Sequence, residues 1–225
     1  KKIMDKKNTD SVLKYRIREP LKKSNNTPTI FLLHGIGSNM DDLFSLNRFF
    51  ADEWMVISLQ APIPLGFGGW AWAELDLNNL KNLPKPEQRV SNQDAIISSI
   101  KTIKKKFDIK SKNTYILGFS QGAAFTLFCG LTNPKEINGL IAICGFYEAN
   151  KDIEKIDTER IKSLEVLVSN GTLDEIIPIH MGRMTNLGLR KLGLIHTYNE
   201  YDTGHTISND CLNDIMNWLQ QKHQK

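Results

Sequence analysis

The stretch TYILGFSQGAAFTLFCGL, Thr114 to Leu131, decides the fold. Its first four residues are β-branched, aromatic or aliphatic and run into Gly118. A continuous apolar run bounded by glycine is what a strand buried on both faces looks like. From Gln121 to Leu131 the chain is apolar nearly all round, which predicts a deeply buried helix. Between strand and helix lies Gly118-Phe119-Ser120-Gln121-Gly122, a G-x-S-x-G motif. Two glycines around a serine recur by chance, so the spelling alone is weak. On a sharp strand-to-helix turn it is specific, because the mechanism needs that setting. The glycines let strand and helix approach closely, and the turn lifts the serine hydroxyl clear of the backbone. The helix that follows points its positive end at the site, which favours developing negative charge. A phosphate-binding or purely structural glycine turn is the alternative, and the setting disfavours it.

Working outward, the same alternation repeats. Apolar runs at Thr29 to Leu33, Met55 to Leu59, Leu140 to Ile143 and Leu164 to Val168 read as buried strands. Ile195 to Glu200 is a weaker, more polar one. Helical spacing marks Asp41 to Asp52, Gln93 to Phe107, Ile179 to Leu192 and Asn209 to Gln221. This order predicts an α/β fold with a mainly parallel central sheet and helices on both faces. Val12 to Arg18 alternates apolar and polar and is expected as an antiparallel edge strand. Pro62 to Val90 breaks the rhythm with four prolines and three glycines. A loop that long inside a compact domain is usually functional or disordered, and Phe67, Trp70 and Trp72 argue against disorder. The chain is expected as a single domain over residues 1–225, with 1–10 flexible and 62–90 a loop over the active site.

Bulk properties narrow the function. The 225 residues carry a formal net charge of +4, with 40% hydrophobic and 24% charged residues. The sequence pI is about 8.9. The basic pairs and the run Lys104-Lys105-Lys106 are scattered rather than gathered on a binding motif, so no nucleic-acid partner is expected. No apolar segment approaches membrane-spanning length, and no stable membrane insertion is expected. Cys129, Cys144 and Cys211 are too few and too far apart for a disulfide framework, which fits a reducing cytoplasm. No ligand cluster calls for a metal or an organic cofactor.

A serine hydroxyl needs a base to take its proton. In sheet-borne serine hydrolases the partners follow as serine, acid, histidine. After Ser120 come His180, His196, His205 and His223. His205 is the best candidate, on the glycine-bearing loop between the last strand and the last helix. The acid belongs on a loop after a strand, where Asp174 fits; Glu175 and Asp202 are its rivals. An oxyanion hole requires two backbone N–H groups. Gln121, after the nucleophile, supplies one, and Ile36 in His34-Gly35-Ile36-Gly37 is chosen for the other. His34 is expected to support its loop rather than act as a base.

Four blocks, LLHGIGSN (Leu32 to Asn39), LGFSQGAA (Leu117 to Ala124), NGTLDEIIP (Asn170 to Pro178) and DTGHTIS (Asp202 to Ser208), together resemble the phospholipase/carboxylesterase family of α/β-hydrolases. That family includes acyl-protein thioesterases and small bacterial carboxylesterases. The resemblance runs from Thr29 to the C-terminus. It implies an α/β-hydrolase fold, a triad of Ser120, Asp174 and His205, and oxyanion N–H groups from Ile36 and Gln121. Ala61 to Leu77 resembles the family's aromatic loop, but its spelling Trp70-Ala71-Trp72-Ala73-Glu74 is closer to the bacterial carboxylesterase branch. Phe67, Trp70, Trp72 and Ile177 are the implied substrate contacts. For the aromatics the alternative is that they pin the long loop to the core, and tryptophan suits both roles. The implied partner is a small acyl ester, thioester or lysophospholipid, met by a monomer or homodimer. An amidase or peptidase on the same fold, and a non-catalytic binding protein, are the competing expectations.

Overall fold

The computed structural model describes residues 12–74 and 86–223. The N-terminal residues expected to be flexible, 1–10, lie outside the described residues, as does the part of the long loop from 75 to 85. In chain order the strands are β1 (Tyr15–Arg18), β2 (Thr29–Leu33), β3 (Met55–Leu59), β4 (Ile63–Gly66), β5 (Gly69–Ala71), β6 (Thr114–Phe119), β7 (Gly139–Ile143), β8 (Glu165–Gly171) and β9 (Thr197–Tyr201). The helices are α1 (Met40–Phe44), α2 (Pro86–Phe107), α3 (Gln121–Thr132), α4 (Ile179–Lys191) and α5 (Asn209–His223).

A seven-stranded sheet has the order β1-β3-β2-β6-β7-β8-β9. β1 pairs antiparallel with β3 at one edge, and the other neighbours are parallel. Side chains of a strand alternate between faces, so a strand covered on both sides must be apolar throughout. β2 does this: Phe31 and Leu33 enter one core, Ile30 and Leu32 the other. The first core takes Ile96 and Ile100 from α2, Phe125 and Phe128 from α3, and Leu189 from α4. The second takes Leu43 from α1 and Cys211, Ile215, Trp218 and Leu219 from α5. The three cysteines are buried and unpaired. Because the sheet is parallel, β2, β6, β7, β8 and β9 all end on one edge, and the loops there carry the candidate residues.

The structure differs from the sequence expectation in four places. The helix expected over 41–52 is only the short α1, followed by a 3-10 turn from Ser45 to Phe49. α2 starts at Pro86, seven residues before Gln93, and proline is well suited to a helix's first turn. β4 and β5 form a hairpin inside the stretch read as a loop, turning through positive φ at Gly66, Phe67 and Gly68. β8 runs on through Asn170 and Gly171, beyond the strand expected to end at Val168.

Arg18 fastens the end of the edge strand. The Arg18 guanidinium donates to the carbonyls of Asn47 at 2.7 Å, Phe50 at 3.0 Å, Ala51 at 2.8 Å and Trp54 at 3.1 Å. Those carbonyls belong to the segment that leads into β3. A lysine reaches one point and cannot span the four. Arg18→Lys is therefore expected to lower the thermal unfolding midpoint by about 2–6 °C, corresponding to roughly 1–2 kcal/mol. Scanning calorimetry checks it, and an unchanged midpoint would refute the clamp.

Candidate active site

Ser120 follows β6 and stands at the N-cap position of α3, with φ 55° and ψ −118°. That left-handed backbone costs a non-glycine residue roughly 1–3 kcal/mol and persists only where its surroundings impose it. They do so here. The Ser120 N–H donates to Ile143 O at 2.9 Å, and its carbonyl accepts from Ala123 at 3.0 Å. The flanking glycines are obligatory for space. A Cβ on Gly122 would lie 2.0 Å from Leu33 O, and one on Gly118 would lie 2.2 Å from Gly122 O. The hydroxyl does not cap the helix, so it is not committed to a structural bond.

His205 and Asp174 come together across two loops. His205 Nδ1 donates to Asp174 Oδ2 at 2.7 Å. The other carboxylate oxygen accepts the N–H groups of Ile176 and Ile177, both at 2.8 Å. The Asp174 side chain has no exposure, whereas that of His205 keeps 18%. The two loops are themselves laced together. Thr172 N–H donates to Tyr201 O at 2.8 Å and Leu173 N–H to Thr203 O at 3.0 Å. A Cβ on Gly171 would meet Thr203 O at 2.3 Å, so only glycine permits the approach. On the side of Ser120, the ring of Phe119 packs on His205 with centroids 4.8 Å apart. The rival acids lie elsewhere: Glu175 is exposed, and Asp202 is exposed and accepts from Thr172 Oγ1 at 3.1 Å. His180 is exposed, His196 bonds Asn186 and Leu194 O, and His223 packs on Trp54.

Gly35 lies against Ser120, since a Cβ added to it would sit 3.4 Å from Ser120 Cβ. The loop after β2 is thus beside the elbow. Among the described residues no backbone acceptor takes the Ile36 N–H. Gln121 is the first residue of α3, where amide donors lack intrahelical partners. Its side chain has a separate task that the sequence did not disclose. Gln121 Oε1 accepts the Trp72 N–H and Nε2 donates to Ala73 O, each at 2.7 Å.

His34 supports the loop. Its Nδ1 donates to Gly35 O at 2.7 Å, and its Nε2 accepts the Ala61 N–H at 3.2 Å. Burial lowers its pKa below the usual 6.5. Of the four expected substrate contacts, Trp72 is completely buried. It donates from Nε1 to His34 O at 2.7 Å, so it pins the loop to the core and offers no surface to a groove. Trp70 and Ile177 are half-buried, and Phe67 is fully exposed at the hairpin turn. Sequence reasoning missed Cys144, which follows β7 at φ 50°. Burial pushes its thiol up to about 11.

A model of the phospholipase/carboxylesterase family matches residues 16–223. The chain belongs to that family. It is 26% identical over 236 residues to a probable carboxylesterase SOBER1-like protein of Arabidopsis thaliana, covering 99% of this chain and 87% of the relative. It is 28% identical to acyl-protein thioesterase 1 of Mycosarcoma maydis over 78% of this chain and 80% of the relative. Among solved structures, that of esterase PE8 superposes with a TM-score of 0.82 at 24% identity, covering 94% of this chain and 99% of the other. The family is an α/β-hydrolase one, and the parallel sheet with its antiparallel edge strand is that fold.

Two outcomes are expected. Gly122→Ala should cost about 3 kcal/mol or more, because a methyl group cannot coexist with the Leu33 carbonyl. A soluble variant with an unchanged unfolding midpoint would contradict this. The depressed His34 pKa means the native state resists a proton that the unfolded chain accepts near pH 6.5. Its stabilising effect is full above that pH and is lost as pH falls through the lower native value. Unfolding midpoints measured from pH 8 to pH 5 should therefore fall more steeply in the wild type than in His34→Gln. Parallel curves would remove His34 from the account.

Proposed function

We propose that the chain is a serine carboxylesterase that cleaves small acyl esters or thioesters through an acyl-enzyme. The observation that carries this reading is the buried Asp174 carboxylate, divided between His205 Nδ1 and two backbone amides. A carboxylate so held fixes the imidazole's orientation and its tautomer. With Nδ1–H donated to Asp174, Nε2 keeps a lone pair and serves as base.

In this mechanism His205 Nε2 takes the proton of Ser120 Oγ as the oxygen attacks the acyl carbonyl. The tetrahedral oxyanion is met by the N–H groups of Ile36 and Gln121, aimed there before the charge develops. Collapse expels the alcohol or thiol with the proton from His205. Water activated by the same nitrogen then releases the acid and frees the serine. Asp174 balances the imidazolium in both halves. Trp70 and Ile177, each half-buried, line the acyl side, with Phe67 at the rim.

The test is turnover of p-nitrophenyl esters from acetyl to long acyl. Wild-type protein is expected to hydrolyse part of the series and to be labelled by a fluorophosphonate. Ser120→Ala should abolish both while remaining folded. Asp174→Asn should lower kcat by about 10³–10⁴-fold with a much smaller change in KM, because an amide supports the wrong tautomer. Paired ester and amide substrates of one acyl group separate an esterase from an amidase. Absence of both turnover and labelling would sink the hydrolase reading in favour of a binding protein.

A further inference from the structure

Cys144 stands where β7 ends, and its sulfur is buried beneath the two residues just described. Sγ lies 3.6 Å from Thr206 O, on the His205 loop. It also meets the Gly171 backbone N–H, at the start of the Asp174 loop. One donor atom each from Cys144, Asp174 and His205 falls within 4.8 Å of the others. Among the described residues no other group of three His, Cys, Asp or Glu side chains is gathered this way. The left-handed backbone at Cys144 is costly for any residue with a Cβ, so the packing around it fixes where the sulfur sits.

Sulfur, imidazole nitrogen and carboxylate oxygen form the donor set that zinc takes in proteins. Tetrahedral zinc holds such atoms about 3.3–3.5 Å apart, given bonds of about 2.0–2.3 Å. The three atoms need close by no more than about 1.5 Å at the widest pair to meet it. Magnesium and calcium prefer all-oxygen shells and do not suit these ligands. The partial exposure of His205 gives the ion a way in.

We propose that Cys144, Asp174 and His205 form a latent inhibitory site for zinc, distinct in its sulfur ligand from the machinery of turnover. The proposal rests on the serine-esterase reading only for its effect on activity. On binding, the thiol releases its proton to solvent and Sγ bonds the metal. Asp174 moves its oxygen from the His205 N–H to the ion. Nδ1 gives its lone pair to zinc, and the imidazole's one proton moves to Nε2. The charges of zinc, thiolate and carboxylate then sum to zero. Nε2, now carrying the proton, has no lone pair for the Ser120 hydroxyl, and acylation stops.

The experiment measures p-nitrophenyl ester turnover in buffered free zinc, then after EDTA, with magnesium as control. Wild-type protein, Cys144→Ala and Cys144→Ser are each compared with their own metal-free rate. Wild-type turnover is expected to be inhibited at micromolar zinc, restored by EDTA and indifferent to magnesium. The variants should need roughly 10-fold more zinc or beyond, as loss of a ligand demands. Cobalt(II) loading gives a second readout that does not depend on activity. A thiolate-to-cobalt charge-transfer band is expected in the wild type and in Ser120→Ala, and not in Cys144→Ala or Cys144→Ser. Equal zinc sensitivity with and without the thiol, or no band in the wild type, would overturn the site. A band without any ester turnover would leave the site standing and remove the esterase reading instead. If Cys144→Ala fails to fold, the near-isosteric Cys144→Ser carries the comparison alone.

Discussion

The contact of Gly122 with the backbone of Leu33 and His34 is the constraint on which the site depends. No atom larger than hydrogen fits between α3 and the end of β2. That closeness turns the chain sharply at Ser120 and forces the serine into a left-handed backbone. It also sets Gly35 against the Ser120 side chain, so that the loop carrying the Ile36 amide lies beside Ser120. The strain is local, and the parallel sheet that anchors β6 between β2 and β7 offsets it. A fold that relaxed the elbow would separate Ser120 from the loop after β2. Strain and alignment are the same geometric fact.

Around this contact a polar lattice stiffens the loops. Gln121 holds the Trp72 segment by both ends of its amide, Trp72 holds His34 by its indole, and His34 holds Gly35 and Ala61 by its ring. Each bond satisfies a buried polar group that would otherwise cost about 1–3 kcal/mol. The chain of bonds runs from α3, which follows Ser120, to the loop that carries Ile36. Gln121, Trp72 and His34 thereby fix the position of that loop relative to Ser120. Sites built this way tolerate surface change and lose function when a supporting amide or ring is altered.

Legibility in the sequence followed the range of the interactions. β2 and β3 were readable to the residue because burial on both faces leaves an unbroken apolar run. The turn at Ser120 was readable because the elbow's glycines are local in sequence, and the meeting of Asp174 with His205 because each follows a strand on the same sheet edge. The hairpin of β4 and β5 was not readable. Pro64 and three positive-φ residues look like loop, and its pairing depends on Ser38, Gln121 and the core beyond. Trp72 was ambiguous for the same reason, since only its bond to His34 assigns it to the core. Asn170 and Gly171 carry no strand signal of their own, and β9 imposes their extension. Cys144 was read only as an index of redox environment. Its position after a buried run on a parallel strand was the available signal that it would face the same edge as Ser120.

The acid and histidine loops form the second rigid unit. Gly171, Thr172 and Leu173 are packed on or bonded to the segment from Tyr201 to Gly204, so Asp174 and His205 move together if they move at all. Cys144 inserts its sulfur where that unit meets β7, touching both loops. A small side chain at this junction transmits any change in its volume or ligation to the Asp174–His205 bond directly. The elbow touches the same junction: the Ser120 N–H donates to Ile143 O at 2.9 Å, next to Cys144, and a Cβ on Gly145 would lie 3.1 Å from Ser120 O. Cys144 thus stands where the turn at Ser120 and the paired Asp174 and His205 loops meet, on one edge of the sheet.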